Sequence, residues 1–187
     1  MLKAGKKEYV LRRPPFGANI KSAHDMKREF DMLAAIKSAY TKVPNPIIYC
    51  GDENIIGAEF YLMERVNGLI LRQKPPKDVK LTPEVMLGLS TALIDNLVEI
   101  HQIDISKSQL AEKGKPTGYI NRQVTGWIKR YQKAATEEIK DMEFLAEWMP
   151  SNMPSEGKPS LIHNDYKYDN IIFDLENIPN ISAVLDW

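Results

Sequence analysis

The sequence predicts an α+β fold: a small sheet with one helix, then a mainly helical region that ends in a strand-turn-strand. Three observations predict it. Short β-prone runs, punctuated by proline and turn residues, fill the first 68 positions. Apolar residues at helical spacing fill much of the stretch from Thr82 to Met149. Finally, Ile171-Ile172-Phe173, a turn from Leu175 to Asn180 and the run Ile181 to Leu185 read as a hairpin leading into Asp186-Trp187.

Taken in order, Tyr9 to Arg13 is a strand stopped by Pro14-Pro15, because proline lacks a ladder donor and restricts the residue before it. A helix follows. Ser22 with Asp25 three residues on has an acidic version of the capping-box pattern, and Met26, Phe30 and Leu33 recur at helical spacing toward Tyr40. Pro44 and Pro46 lead into a strand over Ile47 to Cys50, and Asp52 to Gly57 reads as a turn before a strand over Phe60 to Arg65.

Asn67-Gly68 marks a lobe boundary, dividing the chain into residues 1–68 and 69–187, and Lys74-Pro75-Pro76-Lys77 has linker composition. Thr82 as N-cap and Pro83 at the first helical position open a helix toward His101, with Met86, Leu89, Leu93, Leu97 and Ile100 as its apolar stripe. A second long helix is predicted from Tyr119 to Ile139, weakened by Gly126, and a short one from Glu143 to Met149. Pro150, Pro154 and Pro159 mark a loop beyond it. There is no internal repeat.

Composition narrows the function classes. With 187 residues, 43% hydrophobic and 27% charged, the chain can bury one sizeable core. Lys plus Arg equals Asp plus Glu at 25 each, so no overall field draws the chain to nucleic acid or an anionic membrane, and any phosphate site is local. The single cysteine, Cys50, forms no internal disulfide and reads as a small packed hydrophobe. No run of about 18 apolar residues offers a membrane span, and the first residues do not lead into a signal-peptide hydrophobic region. A cytoplasmic protein is the expectation.

The chemistry-bearing stretch is His163-Asn164-Asp165-Tyr166-Lys167-Tyr168-Asp169-Asn170. It has the spacing of a kinase catalytic loop. An Asp takes or orients a substrate hydroxyl proton, while an Asn five residues on reaches a metal ion on the nucleotide phosphates. Asp186, after the next strand, is positioned as the second metal ligand.

The order of these segments resembles the protein-kinase-like fold and the aminoglycoside phosphotransferase family, in particular the phosphotransferase domain that some acyl-CoA dehydrogenases carry at their N-terminus. The resemblance rests on Tyr9 to Pro15, on Ser22-Ala23-His24-Asp25, on Phe60 to Gly68, on His163 to Asn170 and on Leu185-Asp186-Trp187. It implies a two-lobe fold with an incomplete N-lobe sheet and a mainly helical C-lobe carrying the catalytic hairpin. It also implies an ATP-dependent kinase acting on a small-molecule hydroxyl, with ATP and Mg2+ as cofactors and neither nucleic acid nor membrane as partner.

Carried over by position, Asp165 is the base or hydroxyl-orienting group, and Asn170 and Asp186 hold magnesium, a hard cation that keeps waters and takes few protein carboxylates. Lys167 contacts the transferred phosphoryl group, offsetting charge in the transition state. Arg12 contacts phosphate, Glu29 positions Arg12, and Met63, Glu64 and Val66 form the interlobe hinge that meets adenine.

Each residue also has a structural reading. His163 reads as a brace for the loop, because the Asp handles the proton. His101 reads as a helix C-terminal residue, Lys113-Gly114-Lys115 as a solvated loop, and Trp127, Tyr131 and Trp148 as core or lobe packing. Arg12 and Glu29 are open to a plain surface ion pair. A metal-dependent hydrolase is disfavoured because His24 and His101 lie in unrelated segments. A protein kinase is disfavoured because Trp187, not Phe-Gly, follows Asp186.

Two departures from the family pattern remain. Only eight residues precede Tyr9, too few for the family's Gly-rich hairpin over the nucleotide, and the family's further acidic residue and helices beyond Trp187 are absent from the sequence. The expectation is a chain truncated at both ends, and the alternative function is a catalytically inactive kinase-like binding module.

Overall fold

The computed structural model describes residues 1–15, 25–72 and 79–187, which divide into two units, residues 1–113 with 160–187, and residues 114–159. Ser22, His24 and the Lys74 to Lys77 linker lie outside the described residues.

The first unit opens with a four-stranded antiparallel sheet in the order β1 (Leu2–Ala4), β2 (Lys7–Arg12), β4 (Phe60–Glu64), β3 (Pro46–Cys50). A short hairpin joins β1 to the Arg12-bearing strand β2 itself. Ala4 pairs with Lys7 across a tight turn in which Gly5 takes φ 62°, a left-handed conformation that costs glycine little. One glycine suffices because the turn needs one positive φ.

Helix α1 (Met26–Lys37) packs on this sheet, with the Phe30 ring centroid 6.2 Å from Tyr49 and 6.0 Å from Tyr61. Its cap is Asp25, whose carboxylate accepts from the Arg28 amide at 2.9 Å, and the helix ends at Lys37, short of Tyr40. Asp25 thus caps the helix itself. Tyr40 is nevertheless buried, beyond the helix end.

Helix α2 (Pro83–His101) starts as predicted, with Thr82 as N-cap. Leu89 and Ile100 of its stripe are fully buried, each side chain worth about 1.5–3 kcal/mol over exposure. The short helix α3 (Leu110–Lys113) follows, and Lys113, expected in a solvated loop, pairs with Asp31 at 3.3 Å.

Strands β5 (Ile171–Phe173) and β6 (Ile181–Val184) form the expected hairpin, with Ile171 opposite Val184. Its burial explains the unbroken apolar runs: Ile171, Ile172, Phe173, Ala183 and Val184 are all in the core. Leu69 and Phe173 exchange two backbone hydrogen bonds of 2.8 Å. Gly68 permits this approach, since a Cβ there would lie 2.4 Å from the Phe173 carbonyl oxygen.

The second unit holds helices α4 (Tyr119–Ala134) and α5 (Lys140–Ser151). Gly126 does not interrupt α4, and Pro150 falls within the last turn of α5 instead of outside it. Gly118, the N-cap of α4, has no side chain, and the Glu156 carboxylate takes its place, accepting from the Gly118 amide at 2.8 Å and the Ile120 amide at 3.2 Å. Of the two readings for Trp127 and Trp148, core or lobe packing, the core reading does not hold, as they are 63% and 48% exposed. A two-helix unit is too small to enclose such rings.

Candidate active site

The loop before β5 is held by its own histidine. His163 is buried, and its Nε2 donates to the Leu185 carbonyl at 2.7 Å, while Nδ1 accepts from the Asp165 amide at 3.4 Å. Both ring nitrogens are engaged, as a bracing role requires. Its ring also lies 4.6 Å from that of Trp187. The loop and the strand end are joined a second time by the Leu185 amide, which donates to the Asn170 carbonyl at 2.8 Å. Two bonds therefore fix where Asp186 leaves β6. Asn164 and Asp186 take φ of 56° and 64°, sparsely populated values that cluster at functional sites.

Asp165, Lys167 and Asn170 form one cluster. The Lys167 ammonium lies 2.7 Å from Asp165 Oδ2, and Asn170 Nδ2 donates to that same oxygen at 3.0 Å and to the Asp165 carbonyl at 3.0 Å. Oδ1 of Asp165 meets no donor among the described residues. The hydrogen bond from Lys167 holds the Asp165 carboxyl below the usual carboxylate range, and Lys167 is in turn raised by that bond and by the charges of Asp165, Asp169 and Asp186. Asp165 is thus an ionised acceptor.

Arg12, Glu29 and Asp186 form the second cluster. One guanidinium nitrogen of Arg12 reaches Glu29 at 3.1 Å and Asp186 at 3.3 Å, and the Tyr61 hydroxyl donates to Glu29 at 3.3 Å. Burial opposes the Arg12 charge, but the surrounding Tyr61, Glu29 and Asp186 more than offset it and raise the Arg12 pKa. Burial likewise pushes the Tyr61 phenol up to about 12. Met63, Glu64 and Val66 line the same cleft as Arg12, Glu29 and Asp186, a space of about 440 Å³. Asp165, Lys167 and Asn170 are not among its lining residues; they join it through the Asn170–Leu185 backbone bond.

The donor chemistry fits a magnesium ion. Because Asn170 commits Nδ2 to Asp165, its Oδ1 is the amide atom left for a cation, and Asp186 supplies a carboxylate. No cluster of three or more His, Cys, Asp or Glu able to hold a metal occurs among the described residues.

Asn96 escaped the sequence reading. It occupies a core-facing position of the α2 stripe, between Leu93 and Ile100, and is 3% exposed. The available signal was an amide at a position where the periodicity calls for an apolar residue.

The small antiparallel sheet, the Arg12–Glu29 pair and the braced Asp-Asn loop define a phosphotransferase of kinase-like fold. The family described as the phosphotransferase enzyme family (APH) matches residues 1–187, and the chain belongs to it. Among curated proteins it is similar to acyl-CoA dehydrogenase family member 11 of Pongo abelii and of Homo sapiens, 40% and 39% identical over 187 residues. It is also 39% identical over 181 residues to acyl-CoA dehydrogenase family member 10 of Mus musculus, covering 97% of this chain and 17% of that protein. The matches to family member 11 cover 100% of this chain but 24% of each relative, so the chain spans about a quarter of their length. Among solved structures, a candidate aminoglycoside phosphotransferase from Ralstonia eutropha JMP134 superposes with a TM-score of 0.78 at 31% identity, over 96% of this chain and 52% of that one. The ternary complex of APH(2")-IIa with streptomycin and ATP shares the fold, with a TM-score of 0.60 at 19% identity, over 99% of this chain and 63% of that one. No helix among the described residues is long and apolar enough to cross a membrane.

Proposed function

We propose that the chain is the nucleotide- and loop-bearing part of an ATP-dependent small-molecule kinase, moving the γ-phosphoryl group to an alcohol. The observation that carries this reading is the Asp165 carboxylate, ionised, with two donors on Oδ2 and, among the described residues, none on Oδ1, the oxygen left for a substrate hydroxyl. Asp165 orients that hydroxyl and accepts its proton as the oxygen–phosphorus bond forms. Lys167 offsets charge on the transferred group. Arg12, set by Glu29, neutralises nucleotide phosphate, as a guanidinium does well, and adenine lies along Met63, Glu64 and Val66. Asn170 and Asp186 hold Mg2+, which neutralises phosphate charge when bound.

For the acceptor, the relatives named as acyl-CoA dehydrogenase family members favour a hydroxyacyl compound, and the structural neighbours favour an aminoglycoside. The test is transfer from γ-labelled ATP to hydroxy acids, hydroxyacyl thioesters and aminoglycosides, with Asp165→Asn as control. Label moving into one class and lost in the variant supports the reading. Nucleotide binding without transfer to any of them favours the inactive binding module.

A further inference from the structure

Among the described residues the buried polar or charged side chains, the tyrosines aside, are those of Asn96 and His163, and both are hydrogen-bonded to residues of the 163–170 loop or to its strand-end partner Leu185. One is His163, described above. The other is Asn96, at 3% exposure on α2. Its Oδ1 accepts from the Tyr40 hydroxyl at 2.6 Å and from Lys42 Nζ at 3.3 Å, and its Nδ2 donates to the Tyr166 hydroxyl at 2.9 Å. Tyr166, the residue after Asp165, donates onward to the Leu93 carbonyl at 2.9 Å. A second tie from α2 to the loop runs between the Ser90 and Tyr168 hydroxyls at 3.1 Å. Burial raises the pKa of Tyr40 and of Tyr166, so both stay hydroxyls able to donate.

A buried amide is costly unless satisfied, and a leucine would fill an apolar stripe more simply. Its value lies in geometry: a satisfied buried network fixes one arrangement of the groups it joins. The groups joined here are the 40–42 segment, α2 and the residue next to Asp165, while the Lys42 carbonyl also accepts from the Val184 amide at 2.8 Å, two residues before Asp186.

We propose that Asn96 is a positioning residue for phosphoryl transfer, holding Tyr166 and thereby the orientation of Asp165. It touches neither nucleotide nor acceptor, and the proposal rests on the phosphotransferase reading above. Asn96 is not part of the lining of the nucleotide cleft, so the expected loss lies in the rate and not in nucleotide affinity. What changes is the setting of the loop.

The test uses Asn96→Leu, Tyr166→Phe and the double variant, with MgATP as probe. Three quantities are read: the rate of phosphate release to water, ATP affinity by calorimetry, and amide hydrogen exchange over residues 161–170. The expected result is a rate lowered about 10- to 100-fold in each single variant. ATP affinity stays within about twofold, and the double variant is no worse than either single, as partners in one network require. Loop exchange rises while β2 and β4 stay protected. Unchanged loop exchange in folded Asn96→Leu overturns the proposal, as do losses that add in the double variant or affinity that falls with rate. If Asn96→Leu does not fold, Tyr166→Phe, which keeps its ring, decides alone. A wild-type chain that neither binds MgATP nor releases phosphate ends the phosphotransferase reading instead, and loop exchange then still decides whether Asn96 sets the loop.

Discussion

The Arg12 guanidinium lies 3.3 Å from the Asp186 carboxylate, joining residues 174 apart in sequence that line one cleft. Arg12 also holds Glu29 at 3.1 Å, so two carboxylates fix the position of its guanidinium. Charge-assisted hydrogen bonds contribute about 1.5–3 kcal/mol. Arg12→Ala is therefore expected to weaken MgATP binding about 10- to 100-fold, with Arg12→Lys recovering part of it, measured by calorimetry. Equal affinity in Arg12→Ala would reduce the pair to a surface contact.

The Asp165–Lys167 pair makes a pH prediction. Asp165 is depressed in the folded chain, so its contribution to stability is present above the ordinary carboxylate pKa of about 3.9 and is lost as pH falls through the lower folded value. Lys167→Ala removes the largest cause of that depression. The acid limb of the phosphate-release rate should then move to higher pH. Carbon-13 titration of the Asp165 carboxyl reads the same shift directly, and an unmoved titration would contradict it.

His163→Ala removes the buried ring that ties the loop to Leu185. Stability should fall by about 2–4 kcal/mol, from a lost hydrogen bond and the cavity left behind, read as a lower urea midpoint. A change under about 0.5 kcal/mol, typical of surface sites, would mean the brace is dispensable.

Gly68→Ala forces a methyl group against Ile172 and the Phe173 carbonyl, where backbone must move. Overpacking of this kind costs about 1–3 kcal/mol. Thermal unfolding measures it, and a neutral substitution would show that the Leu69–Phe173 bridge yields easily.

Features written within a few residues were legible in the sequence. The loop from His163 to Asn170, the Thr82-Pro83 helix start and the β5–β6 hairpin all rest on local spacing, turn chemistry and apolar runs. Arg12 with Glu29 was readable only through the order of segments, and the fold brings them to 3.1 Å. Asn96 was not readable, because its meaning depends on Tyr40 and Tyr166, which are 56 and 70 positions away. The Glu156 cap of α4 was hidden for the same reason, 38 residues from Gly118. The exposure of Trp127 and Trp148 was not readable either, because it depends on α4 and α5 having no buried residue.

Calorimetric titration of ATP with magnesium into the wild-type chain and into Asp186→Ala bears most directly on the central claim. Magnesium-dependent heat from the wild type, absent from Asp186→Ala, is the predicted result. Equal binding by both proteins, or no heat from the wild type at high nucleotide concentration, would contradict it.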